Sequence, residues 1–186
     1  DNSYGGIDFF VNFLDKQVVL YGEIFVDDFQ GDSDDKSQSI QNSVAGMAGL
    51  RITTKSGWYG FLEGGQINSV VYNHVAGAKL RYQIKDAFIG SPLGPDQQLV
   101  WGRVGKKIGE KLEVDLNGWL RRSGEKSIDY EWESKDYLGT RENAVPYGAV
   151  QSELAYWINA SLNIFLSTVE LNGGMVQVEN RNNILN

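Results

Sequence analysis

The chain has 186 residues, with 22 Gly, 3 Pro, no Cys and a formal net charge of −7. That charge argues against a nucleic-acid partner, whose phosphates demand a basic face. The lack of Cys excludes a disulfide scaffold and thiolate metal sites. Apolar runs reach only a few residues, which excludes a membrane-spanning helix but not a β-barrel, whose inward residues dilute hydropathy.

The stretch 1–4 is polar and Ile7 already reads as strand, so no signal peptide opens the sequence. A mature protein, or a chain with its front removed, is expected. After 7–14, strand-like segments of roughly ten residues follow at 18–29, 43–54, 58–67, 97–107, 110–121, 149–159 and 162–171. Connections at 15–17, 55–57, 108–109 and 160–161 are tight, whereas 30–42, 68–96 and 122–148 are long. Outer-membrane barrels show this alternation, because periplasmic turns stay short while extracellular loops are long. Segment length agrees, since a tilted spanning strand needs about 9–11 residues. The stretch 173–186 is polar and reads poorly as a further spanning strand.

Within segments the side chains alternate. Leu112, Val114, Leu116, Gly118 and Leu120 share one face, against Lys111, Glu113, Asp115, Asn117, Trp119 and Arg121. Val18, Leu20, Gly22, Ile24 and Val26 oppose Tyr21, Glu23, Phe25 and Asp27. In a soluble sheet the apolar face is core and the charged face meets water. In a barrel the apolar face meets lipid, and Glu23, Asp27, Arg51, Glu63, Arg103, Glu113, Asp115, Arg121 and Glu153 line a wet lumen. Strand length and aromatics near strand ends (Trp58, Tyr59, Trp101, Trp119, Tyr156, Trp157) favour the barrel, with those rings as interfacial girdles. The expected fold is all-β: an antiparallel transmembrane β-barrel segment of about 8–9 strands over residues 1–186, with no separate domain. Open edges are not tolerated in lipid, so the set is expected to pair with more chain as the later part of a larger barrel.

Four stretches resemble the capsule-assembly Wzi family, especially its relatives in Bacteroidetes-like bacteria. They are YGEIFVDDFQ at 21–30, GFLE at 60–63 followed by VYNH at 71–74, GSPLGPD at 90–96, and RRSGE at 121–125. Order and spacing agree with the family over about residues 18–128, and the GSPLGPD loop is the most specific of the four. The resemblance implies an outer-membrane barrel of about 18 strands, within the size range of such barrels. It also implies a small periplasmic helical region and a role in attaching capsular or other surface polysaccharide.

Several constellations invite chemistry. Asp27, Asp28, Asp32, Asp34 and Asp35 crowd one loop, and calcium favours clustered oxygen ligands. The spacing is not an EF-hand, since Ser37 and Ser43 fall at positions six and twelve from Asp32; the alternative is a solvated acidic loop. Asp129, Glu131 and Glu133 could pair as in a glycosidase, but nothing else marks a catalytic cleft. His74 is the single histidine and supports neither a multi-histidine zinc site nor a triad. The Asn159-Ala-Ser161 sequon falls in an expected periplasmic turn and reads as accidental. Pro92, Gly94 and Pro95 make 91–96 a rigid turn into the strand that follows. Carbohydrate binding stacks aromatic faces on sugars beside fork-like polar groups. Tyr130, Trp132, Tyr137 and Tyr147, with Arg121, Arg122 and Arg141, supply both in one long loop, whose alternative role is a lid.

The expected function is therefore a non-catalytic barrel of the bacterial outer membrane that binds or helps attach surface polysaccharide, without a required cofactor. Its partners would be outer-membrane lipid, glycan and other envelope proteins. A passive porin and a soluble β-sandwich carbohydrate-binding module are the alternatives.

Overall fold

The computed structural model describes residues 4–27, 43–69, 71, 83–84, 87–88, 94–126, 145–165 and 167–183. Eight strands form one antiparallel sheet: β1 (Tyr4–Phe13), β2 (Val18–Asp27), β3 (Ser43–Thr53), β4 (Trp58–Ile67), β7 (Gln97–Ile108), β8 (Leu112–Ser123), β9 (Gln151–Ile164) and β10 (Ser167–Glu179). A separate two-stranded ladder pairs β5 (Gln83–Ile84) with β6 (Ala87–Phe88), inside the long 68–96 connection. Order along the sheet follows the chain, and every neighbouring pair is antiparallel. The sheet is not closed, and β1 and β10 are its edges. Among the described residues no helix is long and apolar enough to cross a membrane.

The all-β antiparallel architecture agrees with the alternation in the sequence, but the bounds of the strands differ, most of all in the last two. The expected turn at 160–161 lies inside β9, which runs to Ile164, so the Asn159 sequon sits in a strand. The stretch 173–179, expected to read poorly as strand, belongs to β10. Polar residues misled both readings. Asn159, Ser161 and Asn163 occupy one face of β9 while Leu162 and Ile164 hold the other, which is ordinary strand alternation.

Register extends the alternation across the whole sheet. One transverse row reads Val11, Leu20, Leu50, Leu62, Gly102, Gly118, Tyr156, Met175. The next reads Phe13, Val18, Ile52, Gly60, Val104, Leu116, Ile158, Gly173. No charged residue interrupts either row. Nearer the long connections this face turns polar at Gln66, Gln98, Arg122 and Ser152. Apart from Phe10, Leu14, Trp119, Phe165, Val176 and Val178, every exposed large hydrophobic side chain among the described residues projects from this face.

The opposite face carries the polar residues and is the better buried. Asp115 and Asn117 are each 5% exposed, while Leu116 between them is 52% exposed. Among the described residues no second layer covers this polar face, and the side chains of Arg103, Asn117 and Asn159 gather around Asp115 there. One cavity on this face is touched by β1, β2, β3, β4 and β7. Of the six aromatics expected at lipid interfaces, only Trp58 and Tyr156 share the apolar face. Tyr59, Trp101, Trp119 and Trp157 project to the polar one. There Trp119 packs edge-on to Trp157 at 5.9 Å, and Phe61 to Trp101 at 4.7 Å. The expected girdle is thus corrected: most of these rings pack the hollow, because they fall on the parity of the charged residues.

Candidate functional site

Strand parity alone places Glu23, Asp27, Arg51, Glu63, Arg103, Glu113, Asp115, Arg121 and Glu153 on the polar face, as the period-two reading expects. Asp27 contributes only its strand position, its side chain lying outside the described residues. What these side chains do was not visible in the sequence. Tyr21 on β2 lies across Gly49 on β3, and its hydroxyl donates to Glu63 Oε2 on β4 at 2.8 Å. Tyr59 on β4 lies across Gly105 on β7, and donates to Glu113 Oε1 on β8 at 2.5 Å. In both places a methyl on the glycine would overlap the phenol ring. The same device therefore occurs twice: a tyrosine crosses a bare backbone to reach a carboxylate two strands away.

The second device anchors a larger network. Arg103 Nη2 donates to Asp115 Oδ2 at 2.6 Å and lies 3.5 Å from Glu113 Oε1. Its guanidinium carbon sits 5.2 Å from the centre of the Tyr59 ring. Asn159 Nδ2 donates to Asp115 Oδ1 at 2.9 Å, and Asn117 Nδ2 donates to the same oxygen. Asp115 thus accepts from three strands, which is why a carboxylate is tolerated at 5% exposure.

Farther up the same face the two candidate arginines part company. Arg121 Nε donates to Gln97 Oε1 at 2.8 Å, and its Nη1 lies 3.9 Å from Glu153 Oε2. Arg122, one residue on, projects from the apolar face at its polar margin and donates to Gln98 Oε1 at 3.3 Å. They do not form one sugar-binding fork. Tyr130, Trp132, Tyr137 and Arg141 lie outside the described residues, as do Asp28, Asp32, Asp34, Asp35, His74, Asp129, Glu131 and Glu133. Among the described residues no group of three or more His, Cys, Asp or Glu side chains is placed to hold a metal ion.

At the long-connection end, the turn expected at 91–96 is described from Gly94 onward. Gly94 and Asp96 both take positive φ, at 75° and 59°, and β7 starts at the next residue. Asp96 is fully buried. Its Oδ2 accepts from the Lys126 backbone N–H and its Oδ1 from that of Tyr147, each at 2.9 Å. Its carbonyl accepts from Gly124 N at 2.9 Å. Glu125 continues the latch, accepting the Ala149 N–H at 2.9 Å. The Lys126 ammonium caps it, 3.9 Å from the Tyr147 ring centre. One aspartate therefore ties both ends of the 122–148 connection to the start of β7. Burial raises its carboxyl above the ordinary 3.8, against the two backbone donors and Lys126, which lower it. No sequence motif announced this role; the Gly-Pro-Asp turn was its sole hint.

Toward the middle of the polar face lies an open cavity of about 430 Å3 walled by Val19, four aromatic rings, the Arg51 guanidinium and the Glu63 carboxylate. An adjoining cavity of about 360 Å3 reaches toward the short turns past Tyr59, Arg103, Lys107 and Glu113. Compared with protein-family models, with curated proteins and with solved structures, the chain matches none.

Proposed function

We propose that this sheet is part of the wall of an outer-membrane β-barrel, and that the barrel binds or helps attach surface polysaccharide without catalysing a reaction. The observation that carries the reading is the bare apolar face. Leu62 is 58% exposed, Leu116 and Ile158 52%, and rows of such residues cross all eight strands. At about 4.8 Å per strand the face is roughly 35–40 Å wide. A soluble monomer rarely exposes a patch beyond a few hundred Å2. Hydrocarbon is the solvent in which this face costs nothing, and the polar rows then line the interior.

Stagger supports the same reading. In the row that ends β1 at Phe13, β10 has reached only Gly173, and β10 extends beyond that row to Ser167. Strands displaced steadily in one direction are what a tilted barrel wall requires. On this reading, further strands pair with β1 and β10, because unpaired backbone is not tolerated in lipid. A sandwich needs a second sheet over the apolar face, and the described residues supply only the small β5–β6 ladder. The polysaccharide role rests on the resemblance carried by the four motifs, of which GSPLGPD contains the Asp96 latch.

Membrane fractionation combined with gene deletion tests the proposal. The protein is expected in the detergent-extracted outer-membrane fraction, and cells without it are expected to shed surface polysaccharide into the medium. Recovery in buffer without detergent, or normal retention of polysaccharide, would overturn it. The polar hollow also suits a diffusion pore. Planar-bilayer recording separates the two, a large steady current indicating a pore and silence a plugged, binding barrel.

A further inference from the structure

We propose that the central cavity on the polar face is a subsite for an acidic sugar, a hexuronate unit whose carboxylate is held by Arg51. The inference deepens the polysaccharide reading and rests on it. The cavity occupies parts of two neighbouring rows, one running Phe10, Tyr21, Gly49, Glu63, Trp101 and the other Val19, Arg51, Phe61. Its volume of about 430 Å3 falls within the range of small-molecule sites.

Three properties decide the chemistry. Arg51 is exposed, lines the cavity and has no hydrogen bond or ion pair among the described residues, whereas Arg103 and Arg121 on the same face are paired. An unpaired guanidinium on a rigid strand offers the planar fork that binds carboxylates bidentately. Glu63 Oε2 is engaged by Tyr21, while its Oε1 has no partner among the described residues and is an acceptor for a hydroxyl. Phe10, Phe61 and Trp101 supply apolar ring surface, of the kind that packs against the C–H face of a pyranose.

This set discriminates among ligands. A lipid is disfavoured because the cavity opens on the polar face, opposite the apolar band. A phosphate dianion would meet one cation with a carboxylate beside it, so its second charge would go uncompensated. A hexuronate matches every group: one negative charge for Arg51, hydroxyls for Glu63, and a flat C–H surface for the rings.

The test is calorimetric titration of the full protein in mild detergent. The probes are hyaluronan and galacturonate tetrasaccharides, and the same compounds with their carboxyls reduced to alcohols. Wild type is expected to bind at least one acidic probe about tenfold or more tighter than its reduced form, a free-energy difference of about 1.4 kcal/mol or more. Arg51→Gln should abolish that preference while leaving affinity for the reduced probe unchanged, and Arg51→Lys should restore part of it. Phe61→Leu should weaken binding of both forms. Urea melts identical to wild type would show that the Arg51 variants fold. Equal preference in wild type and Arg51→Gln overturns the proposal, as does absence of heat with every probe. If either result accompanies polysaccharide shedding on gene deletion, the subsite alone is refuted; if retention is also normal, the parent reading falls with it.

Discussion

Gly105 has no side chain, and that lets Tyr59 lie flat across β7 and reach Glu113. Glycine here fits close packing rather than a special backbone conformation. Gly105→Ala should therefore cost about 1–3 kcal/mol, the usual penalty for overpacking. At Gly173 a methyl would meet nothing within 4 Å, so Gly173→Ala should change stability by no more than about 0.5 kcal/mol. Urea unfolding in detergent, followed by Trp fluorescence, checks both, and equal losses would refute the packing account. Asp96 makes a different prediction. Asp96→Asn puts an amide donor against one of two backbone N–H groups, and should cost about 1–3 kcal/mol. Because burial raises the carboxyl above 3.8, the folded chain binds this proton more tightly than the unfolded chain. The stability it contributes is fully present below the unfolded value and declines as pH rises through the higher folded value. Melts of wild type and Asp96→Asn across pH should thus differ most in acid and converge toward neutrality. A gap that widens with rising pH would show the charged form to be the favoured one.

At the scale of strands, the two faces of β8 make opposite demands on neighbouring residues. Leu116 lies on the apolar face at 52% exposure and Asp115 on the polar face at 5%. On the barrel reading, Leu116→Lys places an ammonium in hydrocarbon and should cost about 2–4 kcal/mol near the midplane. In water the same change on an exposed face would fall within about 0.5 kcal/mol. Folding into lipid vesicles, measured as urea midpoints, distinguishes these solvents, and a negligible effect of Leu116→Lys would count against lipid contact. Asp115→Ala should cost about 1–3 kcal/mol by removing the carboxylate to which Arg103 and two asparagine amides donate. The faces were legible in advance because period two needs only local sequence, as at 112–121. The end of β9 was not, since Asn159 and Ser161 look like a turn until the strand register places them opposite Asp115 and Glu113. The Tyr21–Glu63 and Tyr59–Glu113 bonds span 42 and 54 residues, so no local pattern foretells them. Arg51 was legible as a cation on the polar face, but not as one without a hydrogen bond or ion pair among the described residues.

For the whole molecule, the decisive feature is the pair of open edges. β1 and β10 each have one row of ladder groups facing no described strand, although both belong to a sheet with one apolar face. In water an edge can stay open at the risk of aggregation. In hydrocarbon each unmet backbone group costs several kcal/mol, so such edges are expected to be paired. The two environments leave different marks on amide exchange. If further strands complete the wall, β1 amides pointing away from β2 and β10 amides pointing away from β9 should exchange as slowly as those of β7 and β8. Hydrogen exchange on the protein extracted from its native membrane would show protection through Tyr4–Phe13 and Ser167–Glu179. A soluble sheet would show every second amide of those strands exchanging fast, with the alternate ones protected. That alternating pattern, found in the membrane-extracted protein, would mean the edges meet water and the wall is not continued.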